Sequence, residues 1–535
     1  MKEYYFVVAF YLFVSLIFCS LSYTGSRKIN ALMGILISFI SMLAINYLAK
    51  SYSLMTLEDQ KYMVIVWCLV SFYSVVLGSR AVRSNAPKND TYNFSLKTQR
   101  GRTMRFGDPF DNFMILAGAN GGKTKAIGKN LLKNYIDNYF AGFIYDYKDF
   151  DYTKTLYYLS QKSNYPYPVY YISFTDMQRT FRFNPIKPAV LRDENLLIQL
   201  MDDILGANLG EGDKKDIWYN GALGLLRGVA VRFYKDFTDH CTIPHIFLYI
   251  LTADNDSLSS FLRGRPESRT LASGYLSSEG SEKTQASILF SLTGAISTLA
   301  FNKKIMYVLS GDDFDFNLID PQNPKMVSVA NSYQIESILS PVMSLLVSVS
   351  SRAFTFANRI PFVYFMDEAT TFRIRDFEKM PSVLREYLCS IVFITQSAAK
   401  IEKNYGKLDR ASILSNFSNL FLGRTKDIEA LKTYGLLFSK KEEFKRTDTR
   451  GSNSESVSMS KVEKERYDPS FFTNLVAGEF VGSVAHSNYK EFHQKFEFYV
   501  PGENEPDDLP IVKLVTESDV ERNYDAIIKF VSQIV

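Results

Sequence analysis

A parallel α/β sheet, interrupted by a block of helices and carried behind membrane-spanning segments, is the fold class predicted by this 535-residue sequence. Three observations predict it. Uncharged apolar runs crowd the first 80 residues. The stretch "NFMILAGANGGKTKAIGKNLL" (112–132) passes from a short apolar strand through a glycine-rich turn into a helical pattern. Later apolar strands recur with helical stretches between them, as a parallel sheet requires.

Length and composition frame these elements. At roughly 100–200 residues per domain, the chain accommodates two or three domains. With 46% apolar and 22% charged residues it is globular. The net charge of +4 is too small to argue for a nucleic-acid partner from composition. The four cysteines (Cys19, Cys68, Cys241, Cys389) are far apart and form no CxxC pair, and none of the four histidines lies near one at metal-ligand spacing. That excludes a disulfide framework and a zinc site of the usual spacing.

Residues 4–23 carry no charge. At ~1.5 Å per residue they cover the ~30 Å hydrocarbon core of a bilayer. They lack the basic start and small-residue cleavage site of a signal peptide. Residues 31–49 and 62–79 are two further runs. Arg27 and Lys28 mark the first loop, and Arg80, Arg83 and Lys88 follow the third run. In the second loop Lys50 and Lys61 are balanced by Glu58 and Asp59. Three spans, an outer N-terminus and a cytoplasmic C-terminal part satisfy this pattern; two spans with an inner N-terminus also leave the C-terminal part inside.

Strands are expected in "FAGFIYDYKDF" (140–150) and "YPVYYISF" (167–174), then again in "PKMVSVAN", "PFVYFMDEA" and "CSIVFITQS". Between about 192 and 305 the texture is helical, as in "IWYNGALGLLRGVAVRFYKDF" and "EKTQASILFSLTGAISTLAF". Residues 440–466, charged and serine-rich, read as a mobile loop or a β excursion. The expected organisation is a transmembrane anchor (1–84), an α/β domain (85–190 and 310–500), an inserted all-α domain (191–309) and a C-terminal segment (501–535).

The glycine-rich turn fits the phosphate-binding loop G-x-x-x-x-G-K-[ST] at every position but the first, where Ala117 stands. Such a loop surrounds an anion with backbone N–H groups and a helix N-terminus, and adds a lysine and a hydroxyl for Mg²⁺. Ala117, Gly118, Ala119, Asn120, Gly121, Gly122, Lys123 and Thr124 are therefore the candidate ATP-binding residues. In "PFVYFMDEATTF" the strand ends in Asp367 and Glu368. Asp367 suits Mg²⁺, with Thr124 as its second protein ligand, and Glu368 suits polarisation of an attacking water. Gln396 ends the next strand, where a polar side chain can sense the γ-phosphate.

With these motifs in place, residues 100–490 resemble the VirD4/TraG-type coupling proteins of type IV secretion and conjugation. These are membrane-anchored, RecA-like hexameric ATPases related to the FtsK and HerA translocases. The family's phosphate loop often begins with Ala, as Ala117 does. Its D-x-K-G-E stretch is kept in part by Asp146 and Lys148, its N-P pair by Asn184 and Pro185, and the end of its helical insert by "DDFDFNL" (312–318). "LSNFSNLFLGRTKDIEALKTYG" (414–435) resembles its strand and helix after the glutamine. Arg385 stands eleven residues before Gln396, the family's spacing for an arginine that enters a neighbour's ATP site, although Leu388 replaces the usual glycine beside it.

The resemblance implies a multi-pass inner-membrane ATPase, assembled as a hexamer, with Lys123, Glu368, Arg385 and Gln396 catalytic. Such a protein delivers a DNA–relaxase complex or protein cargo to a type IV secretion channel, using ATP and Mg²⁺. An FtsK/HerA-like DNA translocase and a catalytically weak membrane cargo receptor are the alternative readings. Members more often have two membrane spans than three. They often carry proline and serine where Gly118 and Gly121 stand, and restoring those residues is expected to leave ATP binding intact or slightly tighter.

Overall fold

The computed structural model describes Leu43, Tyr47 and residues 92–535, apart from 192, 208–215, 358, 397, 439, 452–453 and 488–489. The three expected membrane runs lie outside the described residues, apart from Leu43 and Tyr47 of the second.

The expected α/β fold with a parallel sheet is present. Thirteen strands are described: β1 (Phe94–Lys97), β2 (Thr103–Phe106), β3 (Phe113–Leu116), β4 (Ala141–Asp146), β5 (Val169–Ile172), β6 (Met326–Ala330), β7 (Phe362–Met366), β8 (Cys389–Thr395), β9 (Asn419–Leu422), β10 (Lys441–Gly451), β11 (Ser454–Lys464), β12 (Glu479–Ser483) and β13 (Glu491–Lys495). Nine of them form one sheet in the order β13-β12-β9-β3-β8-β7-β4-β6-β5. From β9 to β5 every pairing is parallel, and β12 and β13 add antiparallel edge strands. β3, β4, β6, β7 and β8 are buried at every residue. Sheet strands covered on both faces need such unbroken apolar runs, and these are the runs legible in the sequence. β10 and β11 pair as an antiparallel hairpin, so the 440–466 stretch is the β excursion and not a loop.

The helices include α1 (Lys129–Asp137), α2 (Asp151–Lys162), α3 (Glu194–Gly206), α4 (Ile217–Asp236), α5 (Ile243–Thr252), α6 (Glu282–Phe301), α7 (Lys303–Leu309), α8 (Glu336–Arg352), α9 (Met380–Arg385), α10 (Ala398–Ser415, kinked at Gly406) and α11 (Glu517–Ile534). α2 was not expected between β4 and β5. Its acidic first turn, basic last turn and buried Tyr152, Leu156 and Leu159 fix it as an amphipathic crossover. Asp146 secures its start by accepting the backbone N–H (2.8 Å) and hydroxyl (2.7 Å) of Thr153.

From Pro188 to Leu309 the regular structure is helical. The two chain passages into and out of this region are tied together. Phe183 N–H donates to Val308 O at 2.9 Å, Arg182 N–H to Asp313 Oδ2 at 2.8 Å, and Phe183 stacks on Phe314 and Phe316. Asn184 bonds Cys241 O and the Ile186 amide, so the N-P pair serves this junction. α11 returns to the helical region, where Phe530 stacks on His240 and Asn523 meets Arg182. Among the described residues one helix, α6, is long and apolar enough to cross a membrane. It buries Gln285, Ile288, Leu292, Ile296 and Leu299, a seam of three- and four-residue steps packed inside the helical region.

Candidate nucleotide site

In a parallel sheet, ligands bind beyond the carboxyl ends of the strands. β8 lies between β3 and β7. Its end therefore sits between the glycine-rich loop that follows β3 and the carboxylates that follow β7. Ala119, Asn120, Gly121, Gly122, Lys123, Thr124, Glu368 and Gln396 line one open cleft of about 570 Å³. Ala117 and Gly118 do not line it; they join β3 to the loop, where Ala117 N–H bonds Thr395 O and Gly118 N–H bonds Arg424 O.

The loop is shaped by close backbone approach. Gly122 has φ 89°, and a Cβ there would lie 2.4 Å from the Gly478 nitrogen. Gly478, itself at φ +82°, donates its N–H to Gly121 O at 3.0 Å. Both positions need glycine, for conformation and for space. The chain then enters a wide, π-type turn, Lys123–Gly128, that continues into α1. The first N–H groups of a helix have no partner within it and are available to an anion. Gly118 departs from expectation. Its N–H bonds Arg424 O at 2.8 Å, and a Cβ there would meet that same oxygen at 3.2 Å. The proline common in relatives would delete this bond, so the loop is held here by a β9-side contact that proline cannot make.

Lys123 and Glu368 form a buried ion pair at 2.8 Å. Lys123 also donates to Ala117 O at 3.3 Å, and Gln396 donates Nε2–H to Glu368 Oε1 at 3.1 Å. The second Glu368 oxygen has no hydrogen-bond partner, and Lys400 stands 3.9 Å from it. Glu368 holds φ 47°, the left-handed region that a non-glycine residue occupies at a cost of roughly 1–3 kcal/mol. Removing one member of a buried pair strands the other charge, at about 3–5 kcal/mol. Lys123→Ala is therefore expected to lower the melting temperature, and Lys123→Ala/Glu368→Gln to recover most of the loss. Thermal unfolding of both variants checks this, and equal stability of the two would refute it.

Asp367 is fully buried beside this pair, and neither carboxylate oxygen has a hydrogen-bond partner. Burial pushes its pKa up to about 7, Glu368 and Asp146 add to the rise, and Lys148 and Lys123 oppose it. A buried carboxylate with both oxygens free is what a hard cation requires. Thr124 faces the same cleft. Among the described residues no cluster of three His, Cys, Asp or Glu side chains is present. Mg²⁺ needs none, since it is held by one or two protein oxygens plus substrate phosphates.

Arg385 does not join the cleft. It ends α9, ahead of β8, whose seven residues separate it from Gln396 by about 23 Å at ~3.3 Å per residue. There it pairs with the buried Asp111 (2.7 Å) and with Asp108 (3.3 Å), and His486 holds the other Asp111 oxygen. One crossover thus runs from Glu368 to Arg385. It is pinned midway, where Ile374 N–H donates to the Tyr405 hydroxyl and Arg375 pairs with Asp203 of α3. Lys148, noted in the sequence with Asp146, also lines the cleft, as do Tyr147, Asp151, Ala477 and Phe498, which the sequence did not single out. For the latter group the glycine of "VAGEF" (476–480) was the available signal.

An α/β fold of this order, with a glycine-rich loop and an Asp-Glu pair flanking an intervening strand, defines a P-loop nucleotide-binding protein of the type with one strand between the two motifs. Residues 80–466 match the family model described as type IV secretory system conjugative DNA transfer, and the chain belongs to that family. The coupling-protein resemblance read from the motifs is thereby borne out. The fold is also that of the bacterial conjugative coupling protein TrwBdeltaN70 in an unbound form, with TM-score 0.60 at 16% identity over 77% of this chain and 90% of that one. TrwB in complex with the ATP analogue ADPNP gives 0.59 at 16% identity, over 75% and 88%. TrwB in complex with ADP and Mg²⁺ gives 0.52 at 14%, over 73% and 94%. No curated protein sequence matches the chain.

Proposed function

We propose that this conjugative DNA transfer protein is a membrane-anchored ATPase that hydrolyses ATP at subunit interfaces. Its work would be to move a DNA–relaxase complex or protein cargo into a type IV secretion channel. The observation that carries the reading is the Lys123–Glu368–Gln396 constellation beside the unpartnered Asp367. The same reading takes 191–309 as the inserted all-α domain, 85–190 with 310–500 as the RecA-like domain, and 1–84 as the inner-membrane anchor.

Lys123 is neutralised by Glu368. Phosphates arriving in the loop compete for the lysine, and its departure leaves the Glu368 carboxylate free to take a proton from water. Gln396 keeps its hold on one Glu368 oxygen and so orients the other toward the cleft. Thr124 and Asp367 would hold Mg²⁺, which when bound neutralises charge on the phosphates. Arg385 is directed away from its own cleft, so it would serve the site of a neighbour in a closed ring, the hexamer of the family.

Asp367 gives a pH signature. Its folded pKa, about 7, lies above the unfolded value of about 3.9. The nucleotide-free protein therefore has this group's full stability contribution below about pH 4 and loses it as pH rises through 7. Mg-ATP needs the ionised form, so its affinity should rise between about pH 6 and 8. Asp367→Asn should flatten the stability change and remove the rise in affinity. Thermal melts and calorimetric titrations across that range test both. An unchanged affinity profile in Asp367→Asn would count against metal binding at this residue.

A further inference from the structure

One large aromatic side chain faces the cleft without a structural reason to be exposed. Phe498 is 41% exposed and lines the cleft with Ala477 and Lys125. Its placement is rigid. Phe496 N–H donates to Gly478 O (2.9 Å), Glu497 N–H to Lys97 O (2.9 Å), and Tyr499 N–H to Lys125 O (2.7 Å). Asn130 Nδ2–H adds a bond to Glu497 O at 3.0 Å. The ring rests on the Gly478 backbone, where a Cβ would come within 2.8 Å of it. Gly478 in turn bonds Gly121 O, so the ring stands one residue from the phosphate loop.

We propose that Phe498 is the platform on which the nucleotide base stacks. The inference rests on the ATP reading of the loop and adds the base subsite to it. An apolar ring packed against a glycine, part exposed and lining the cleft, offers a surface for stacking to a base whose phosphates occupy the loop. It also predicts low selectivity. The N–H groups of Glu497 and Tyr499 are taken by Lys97 O and Lys125 O, Glu497 O by Asn130, and Ala477 has no polar side chain, so these neighbours cannot read a base edge. Stacking alone tolerates either purine.

Calorimetry on the detergent-extracted full chain with Mg²⁺ tests the proposal, using ATP, GTP and inorganic tripolyphosphate as probes. Wild-type protein should bind ATP and GTP within about fivefold of each other, since stacking does not distinguish them. Phe498→Ala should weaken both by about tenfold and leave tripolyphosphate unchanged, and Phe498→Trp should restore them. Unchanged ATP binding in Phe498→Ala overturns the proposal, and so does an equal loss of tripolyphosphate, which would make the ring a support of the loop. Wild-type protein that binds neither ATP nor tripolyphosphate overturns the nucleotide reading itself, and the stacking role with it.

Discussion

Arg385→Ala should reduce ATP turnover by about 10³–10⁵-fold, the range over which arginines supplied across an interface act, while ATP binding persists. The side chain lies at the end of the sheet remote from its own phosphate loop, so on the proposed reading its effect is on the site next door. Mixing makes this decisive. Rings of Arg385→Ala alone and of Glu368→Gln alone should both be inactive. Co-assembled in equal amounts, roughly a quarter of the interfaces join an intact Glu368 to an intact Arg385, and turnover should return in proportion. Mixed rings as inactive as their parents would remove Arg385 from the shared site. Loss of the arginine also strands Asp111, which is 1% exposed. Arg385→Ala/Asp111→Asn should recover the stability of that corner without recovering turnover, which separates folding from chemistry.

Glu368→Gln should cost about 10²–10⁴-fold in turnover, the usual contribution of a positioned general base, and should bind Mg-ATP at least as tightly as wild type. The second half follows from the ion pair. In the native site phosphates must take Lys123 from a carboxylate 2.8 Å away; in the variant they take it from a neutral amide. The amide keeps the shape of the Glu368 side chain and can still meet Gln396, so the strained φ of 47° should be retained. Equilibrium binding and single-turnover hydrolysis measure the two effects separately. A variant that binds weakly and hydrolyses normally would invert the roles given to the pair.

Much of this site was legible because its chemistry is local. The loop from Ala117 to Thr124 lies on one continuous strand–turn–helix unit, and Asp367, Glu368 and Gln396 each end an apolar run. The sheet order that brings them together could only be supplied by the family resemblance, since no single run states which strand it pairs with. α2 was missed because its polar first turn, "DYTK", followed a strand ending in a similar "YDYKD". The parts contributed from far along the chain were not legible. Gly478 and Phe498 lie more than 350 residues after Gly122, and the lone glycine of "VAGEF" does not say which distant loop it meets. The role of Gly118 was not legible either, because its bond to Arg424 O exists only once β9 is beside β3.

The crossover between β7 and β8 carries Glu368 at one end and Arg385 at the other, and Asp203 of α3 grips it between them through Arg375. On the proposed reading a subunit has no separate lever for consuming its own fuel and for igniting its neighbour's: whatever rearranges the first would shift the second, and a load that tugs on α3 would pull on both. In the proposed ring such wiring would favour a baton passed from subunit to subunit over simultaneous firing, with cargo held by the helices able to set the pace.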